Sequence, residues 1–178
     1  MVSLLIAGCH VVAAITRSED KTERLAALAA QPVVCDVFDL SELTRAVTAF
    51  EPEAVLHEIT DLPDRLDDLG EYAARNDRIR TEGTRNLVAA ARAAGARHLL
   101  AQSIAWRPAG RGDAVEDLER EVLDANGVVV RYGQLYGPGT FYEDRLPPHP
   151  RIHVDEAARR TPPLIVARSG VVSLVEEQ

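Results

Sequence analysis

Lysine is all but missing from this chain. Lys21 is the only one, so arginine supplies nearly all the positive charge. With 28 Asp and Glu against 20 Lys and Arg, the formal net charge is −8. That balance argues against nucleic acid as a partner, because phosphate binding needs a basic patch. The abundance of arginine and alanine fits codon bias in a GC-rich genome and carries no functional weight. Cysteine is scarce too: Cys9 and Cys35 show no metal-ligand spacing, and a cytoplasmic protein is expected. No apolar run approaches membrane-spanning length, so no membrane partner is expected. Leu4 to Cys9, LLIAGC, mimics a lipoprotein processing site. No positive charge precedes Arg17, however, and only eight residues precede the cysteine, so a signal segment is not expected. Two further absences matter for chemistry. No G-x-x-G-x-x-G occurs, and no tyrosine is followed four residues later by lysine or arginine.

What is present describes a folded domain. The 178 residues are 46% hydrophobic and 27% charged, with no long polar tract, which fits one globular unit with a real core. Short apolar runs alternate with amphipathic stretches. The runs predict strands over 11–16, 32–36, 54–57, 98–103 and 128–131. The stretches predict helices over about 20–30, 41–50, 71–94 and 114–125. Such alternation implies βαβ units, hence a parallel sheet with helices on both faces. Ser41 followed by Thr44 offers a helix start, and Gly95 and Gly127 stand where C′ glycines belong. Three prolines in 146–150 mark an irregular connection, and 164–175 holds two more strand-like runs.

One stretch is especially informative. In NGVVVRYGQLYGPGT, from Asn126 to Thr140, a β-branched run stops at Arg131 and becomes a turn built on Gly133, Gly137, Pro138 and Gly139. A buried parallel strand reads this way when its carboxyl end enters a loop, and in open α/β sheets ligands gather outside such ends. Tyr132 and Tyr136 are placed to meet one. The segment resembles the R-x-x-x-x-Y-G-P turn of the NAD-dependent epimerase/dehydratase family, the extended short-chain dehydrogenase/reductases. Ile152 to Ala158, IHVDEAA, is similar to that family's I-H-V-D-D-x-A. Gly83, Thr84, Asn86 and Leu87 match its N-x-x-G-T-x-N-L-L-x-A, whose first asparagine falls on Arg80. The likeness runs from about Leu4 to the end.

The resemblance implies a Rossmann-like parallel sheet, with residues 1–178 as a single NAD(P)-binding domain: a core over 1–140 and a reduced substrate lobe over 141–178. It also implies what is lacking. Relatives open with a strand and a glycine-rich loop whose backbone reaches the pyrophosphate. Here VSLLIAGCHVVAAITRS reads as the end of the helix after that loop and then the second strand. The usual first strand is therefore expected to be missing and the C-terminal lobe shortened. About six doubly buried residues contribute on the order of 10 kcal/mol, comparable with a domain's whole stability. Unpaired edges then predict poor solubility or a homo-oligomer.

By resemblance, Arg17 meets the 2′-phosphate of NADP, with a solvated helix-opening arginine as the alternative. Asp36 and Val37 flank adenine, unless Asp36 or Asp39 is a turn or cap carboxylate. His57 stands beside the cofactor, or is a satisfied packing residue. Ser103 matches the hydroxyl that hydrogen-bonds the reacting oxygen, or bonds nearby backbone. Tyr132 is placed with the cofactor residues. Asp155 is expected to cap the helix over 156–160, His153 to line a residual pocket, and Trp106 to cover a ligand or pack. The carboxylates Asp61, Asp64, Asp67, Asp68 and Glu71 read as a solvated loop, with no metal expected. NADP or NAD is thus the expected cofactor, bound weakly. The expected function is an oxidoreductase on a sugar-like or small carbonyl substrate, catalytically impaired for want of Tyr-x-x-x-Lys. The alternatives are a non-catalytic nucleotide-sensing or partner-binding Rossmann module, or a truncated product.

Overall fold

The computed structural model describes residues 1–63, 65–106 and 112–177. A helix α1 (Val2–Ala7) leads into strand β1 (Ala13–Thr16), then α2 (Thr22–Ala27), β2 (Gln31–Val34), α3 (Leu40–Phe50) and β3 (Ala54–His57). Next come α4 (Leu69–Arg78), a π turn (Ile79–Gly83), α5 (Thr84–Ala93), β4 (His98–Ile104), α6 (Asp113–Asp124) and β5 (Val128–Tyr132). Strands β6 (Gln134–Tyr136) and β7 (Arg151–His153), helix α7 (Val154–Arg160), a 3-10 turn (Pro162–Leu164) and strand β8 (Gly170–Leu174) follow.

Local chemistry sets the element ends, and it corrects several expectations. Asp39, not Ser41, caps α3: its Oδ1 accepts from the Glu42 N–H at 2.9 Å. Gly95 is indeed left-handed (φ +72°) just past α5. After α6 it is Asn126 (φ 59°) that takes the left-handed position, a residue tolerant of it because its short polar side chain bonds locally. Gly127 is small for another reason, since a Cβ there would lie 2.7 Å from Val122 Cγ1 and 3.0 Å from the Leu99 carbonyl. The expected helix over 71–94 is interrupted by the π turn. There the Thr84 hydroxyl donates to the Ile79 carbonyl five residues back, at 3.4 Å.

Strands β3, β4, β5 and β8 form one parallel sheet in that order, and β1 pairs with β2 in a second parallel sheet. Alternating side chains send Val55, Leu99, Ala101 and Val129 into a core with Leu43, Val47, Leu87, Val88, Leu118 and Val122 of α3, α5 and α6; Ile15 and Val33 of the smaller sheet pack onto it. The opposite face carries Leu100, Val128, Val130 and Tyr132 against Ile152, Ala157 and Leu174. Helices thus cover both faces. β8 belongs to the main sheet, so among the described residues the tail holds one strand there, not two, and residues 141–178 include part of the core.

The two sequence blocks that point to the family pair directly. Tyr136 of β6 lies in register with His153 of the parallel β7. The tail then folds over them: the Glu176 N–H donates to the Arg151 carbonyl at 2.8 Å. Its carboxylate accepts from Arg151 Nε at 3.0 Å and from the Tyr136 hydroxyl.

Candidate functional site

All parallel strands of the main sheet end on the same edge, and the candidate residues line it. His57 is in register with Ala101, Ser103 with Arg131, and Ile104 with Tyr132. Arg17, Asp36 and Val37 follow the carboxyl ends of β1 and β2.

At the β1–β2 corner the loop geometry is fixed by its own acid. Asp36 Oδ1 accepts from the Phe38 N–H at 3.0 Å. The Asn86 amide donates to the Val37 carbonyl at 2.9 Å, and Gly83 packs beside Val37, whose Cγ1 a Cβ there would meet at an ordinary contact distance of 3.5 Å. The matched motif residues therefore hold the Asp36–Val37 turn in place. The Arg17 side chain is half exposed and lies 3.5 Å from Asp61 of the loop after β3, which Arg75 also holds at 2.9 Å. Of the acidic run, Asp61 is thus ion-paired; Asp64 lies outside the described residues.

His57 is only 1% exposed. The Ile59 N–H donates to its Nδ1 at 3.3 Å, which leaves the proton on Nε2 for the Thr84 hydroxyl at 2.9 Å. Burial lowers its pKa to about 4, so the ring is neutral at physiological pH. The geometry is that of a packed histidine with both nitrogens used. Glu58 beside it is an exposed residue whose carboxyl nonetheless lies against packed surface, which pushes its pKa up to about 7.

Ser103 does not face an open position alone. Its hydroxyl donates to Glu119 Oε1 at 2.6 Å, and Arg131 Nε donates to the same oxygen at 2.8 Å while its NH2 reaches Oε2. Glu119 is buried. It stands on α6, which carries no tyrosine, and is not among the residues the sequence singles out. A signal existed: Glu119 falls in the apolar stripe Val115, Leu118, Val122, and a carboxylate there calls for a buried partner. The Tyr132 hydroxyl is also used internally. Thr161 Oγ1 donates to the Ala157 carbonyl at 2.7 Å and so accepts from Tyr132 at 2.6 Å. Desolvation, with Glu58 nearby, pushes the Tyr132 pKa further up.

A separate hollow, here called the mouth, lies between residues 65–67 and the turn after β6. A cavity of about 580 Å³ opens there, lined among others by Arg65, Leu66, Asp67, Phe141, Glu143 and Arg145. Tyr136 and His153 pack against each other edge to face, with ring centroids 5.1 Å apart at 83°. Gly137 (φ +103°) takes a conformation that L side chains rarely adopt, and a Cβ there would lie 2.5 Å from His153 Nε2. His153, not Asp155, caps α7, its Nδ1 accepting from the Asp155 N–H at 3.2 Å. Trp106 is partly exposed beside Ser103's strand end.

The groups at the β1–β2 corner could hold the adenosine half of a dinucleotide: a half-exposed guanidinium, a carboxylate and a pinned backbone turn at adjacent strand ends. The fold and this edge define a nucleotide-binding α/β domain. The family model described as NAD(P)H-binding matches residues 1–130, and the chain belongs to that family. A 3-diazoavenalumate denitrifying reductase from Streptomyces sp is 41% identical over 167 residues, covering 80% of this chain. This chain spans 54% of that relative's length. Among solved structures, the Thermus thermophilus UDP-glucose 4-epimerase complex with NAD superposes with a TM-score of 0.79 at 16% identity, covering 99% of this chain and 73% of that one. The Thermotoga maritima UDP-glucose 4-epimerase with UDP-glucose gives 0.77 at 16% identity, over 98% and 72%. WbmG of Bordetella bronchiseptica in complex with NAD gives 0.69 at 18% identity, over 98% and 68%. These likenesses establish the fold as Rossmann-like.

Among the described residues no helix is long and apolar enough to cross a membrane.

Proposed function

We propose that this chain binds NAD(P)H weakly and serves a reductive hydride transfer to an acceptor that needs no proton from the protein. The observation that carries the reading is the occupation of α6. Helix α6 has no tyrosine and presents Glu119, already bonded to Ser103 and Arg131. A sugar-like or small carbonyl substrate gains a proton on oxygen as hydride arrives, and acid–base help there contributes about 10²–10⁴-fold. Ser103 gives its proton to Glu119, so on this reading the chain is impaired for carbonyls.

When bound, the reduced nicotinamide supplies hydride. A diazo-type acceptor in its diazonium form takes that hydride on carbon, the carbon–nitrogen bond breaks, and dinitrogen leaves with the bonding pair. No proton is exchanged with the protein. The likeness to the 3-diazoavenalumate denitrifying reductase supports this acceptor class. Arg17 would hold the ribose or 2′-phosphate, and Asp36 and the Val37 backbone the adenine. His57 would pack the floor of the site through Thr84, and Tyr132 would do so through Thr161. Phe141 in the cavity lining suits an aromatic acceptor.

The test incubates the chain with NADPH or NADH and 3-diazoavenalumate, following loss of the reduced-nicotinamide absorbance and release of dinitrogen. Acceptor-dependent oxidation that persists in Ser103→Ala supports the reading. Oxidation with nucleotide sugars or simple carbonyls but not with the diazo compound would overturn it. Calorimetric binding of NADPH without any turnover would favour the nucleotide-sensing alternative.

A further inference from the structure

One carboxylate is shared by two arginines from different elements. Arg17, just past the carboxyl end of β1, places its NH2 3.5 Å from Asp61 Oδ2, and Arg75 of α4 places its own NH2 2.9 Å from the same oxygen. Neither guanidinium has a second carboxylate partner among the described residues. The cluster therefore carries one surplus positive charge in a chain whose net charge is −8, and anion binding needs such a local surplus. Exposure is graded in the same sense. The Asp61 side chain is 12% exposed, against 51% for Arg17 and 54% for Arg75. What meets solvent is the pair of cations, while their acid is largely covered.

The cluster is also held in place. The Asp61 N–H donates to Oδ1 of the buried Asn76 at 3.2 Å, which ties the loop after β3 to α4. The Arg75 guanidinium lies over the Tyr72 ring, 4.6 Å from its centroid, and such stacking orients the planar fork. On the other side, the Ser18 N–H donates to Thr16 Oγ1 at 3.1 Å, setting the turn from which Arg17 departs. Arg78, at the end of α4, differs. Its Nε and NH2 both donate to the Glu82 carboxylate, at 2.7 and 3.1 Å, so its fork is already occupied. Arg17 and Arg75 each give Asp61 a single nitrogen, and a guanidinium has five N–H donors. Two guanidiniums that meet one carboxylate oxygen can also meet two oxygens of one phosphate. A dianionic phosphate monoester suits such a pair better than a hydroxyl does.

We propose that Arg75 is the second arm of a phosphate-monoester site shared with Arg17, and that this site selects NADPH over NADH by taking the 2′-phosphate. The proposal rests on the reading that this corner holds the adenosine half of the cofactor. Nuclear magnetic resonance titrations that follow the arginine Nε–H signals suit weak ligands, with 2′,5′-ADP, 5′-ADP and inorganic phosphate as probes. In the wild type 2′,5′-ADP should bind about tenfold tighter than 5′-ADP and move the Arg17 and Arg75 signals together. Because both arms act on one phosphate, Arg75→Gln should bring the two nucleotides to equal affinity, through loss of 2′,5′-ADP binding alone. Arg75→Lys, which keeps the charge without the fork, should retain part of the preference. An arginine with only a structural role would weaken both nucleotides alike in Arg75→Gln, and that result would overturn the proposal. Equal binding of both nucleotides by the wild type would overturn it while leaving the adenosine reading intact. Inorganic phosphate moving both signals in that case would make the pair a free-anion site. A wild type that binds neither nucleotide would overturn the adenosine reading and the proposal with it.

Discussion

Acidification should destabilise this protein through His57, and the structure sets the size of the effect. The ring is buried, neutral and bonded at both nitrogens, with a folded pKa of about 4 against an ordinary 6.5. Between those values the unfolded chain holds a proton that the folded chain refuses, so stability falls as pH falls. It is fully present above about pH 6.5, declines as pH drops through 4, and levels off below. The gap of about 2.5 units corresponds to on the order of 3 kcal/mol, of which about 2 kcal/mol is lost by pH 5. Glu58 works in the opposite sense. Its raised carboxyl pKa penalises the folded state as pH rises through about 7, although solvent reaching that exposed residue screens the effect. The wild-type profile alone therefore mixes two terms, and the comparison with His57→Gln isolates one. Glutamine keeps an N–H for Thr84 and does not titrate. Urea midpoints taken from pH 7 to pH 5 should fall for the wild type by about 1 M more than for the variant, for a slope of about 2 kcal/mol/M. Parallel profiles would refute the assignment of a buried neutral histidine.

Glu119→Gln should cost about 2–3 kcal/mol, because it weakens the bond from Ser103 and strips Arg131 of its counter-charge. The Arg131 side chain is 42% exposed, so solvent caps the loss; a urea midpoint unchanged from wild type would show that the pair contributes nothing net. Gly137→Ala should cost at least about 1–3 kcal/mol from its positive φ, with further loss from displacing His153, and an unshifted melting temperature would contradict that geometry. On the proposed weak binding, NADP should bind in the range of about 1 mM by calorimetry, around a thousandfold below a micromolar site, and low-micromolar binding would overturn that reading. Arg17→Ala should lower NADP affinity about tenfold while sparing NAD; equal losses for both would remove Arg17 from the 2′-phosphate.

Much of this architecture could be read from periodicity and punctuation. The β3 bounds matched the apolar run 54–57, and β4 and β5 each extended it by one residue, because doubly buried strands are written as continuous apolar runs. Strands β6 and β7 were not legible. Each is three residues long, and each is stabilised by its partner across a long loop, not by its own sequence. The π turn escaped for a similar reason, since it depends on where Thr84 bonds. At the site, sequence located the strand ends but not what their side chains do there. Ser103, His57 and Tyr132 all sit on the expected edge. Their polar atoms are committed to Glu119, Thr84 and Thr161, partners 16, 27 and 29 residues away, and only folding reveals such pairings.

The Glu176 contacts make the mouth and the tail a single thermodynamic unit. One carboxylate receives Tyr136 from the strand entering the Gly137 turn and Arg151 from the strand leaving it. Arg151 also donates to the Pro147 carbonyl of the intervening loop at 3.1 Å. Whatever orders the loop over 137–150 must therefore also order the residues after β8, and whatever tethers or strips those residues changes the loop. A ligand held between Arg65 and Arg145 would slow fraying of the tail more than twenty-five residues away in sequence. By reciprocity, fastening the tail would tighten that ligand by the same factor.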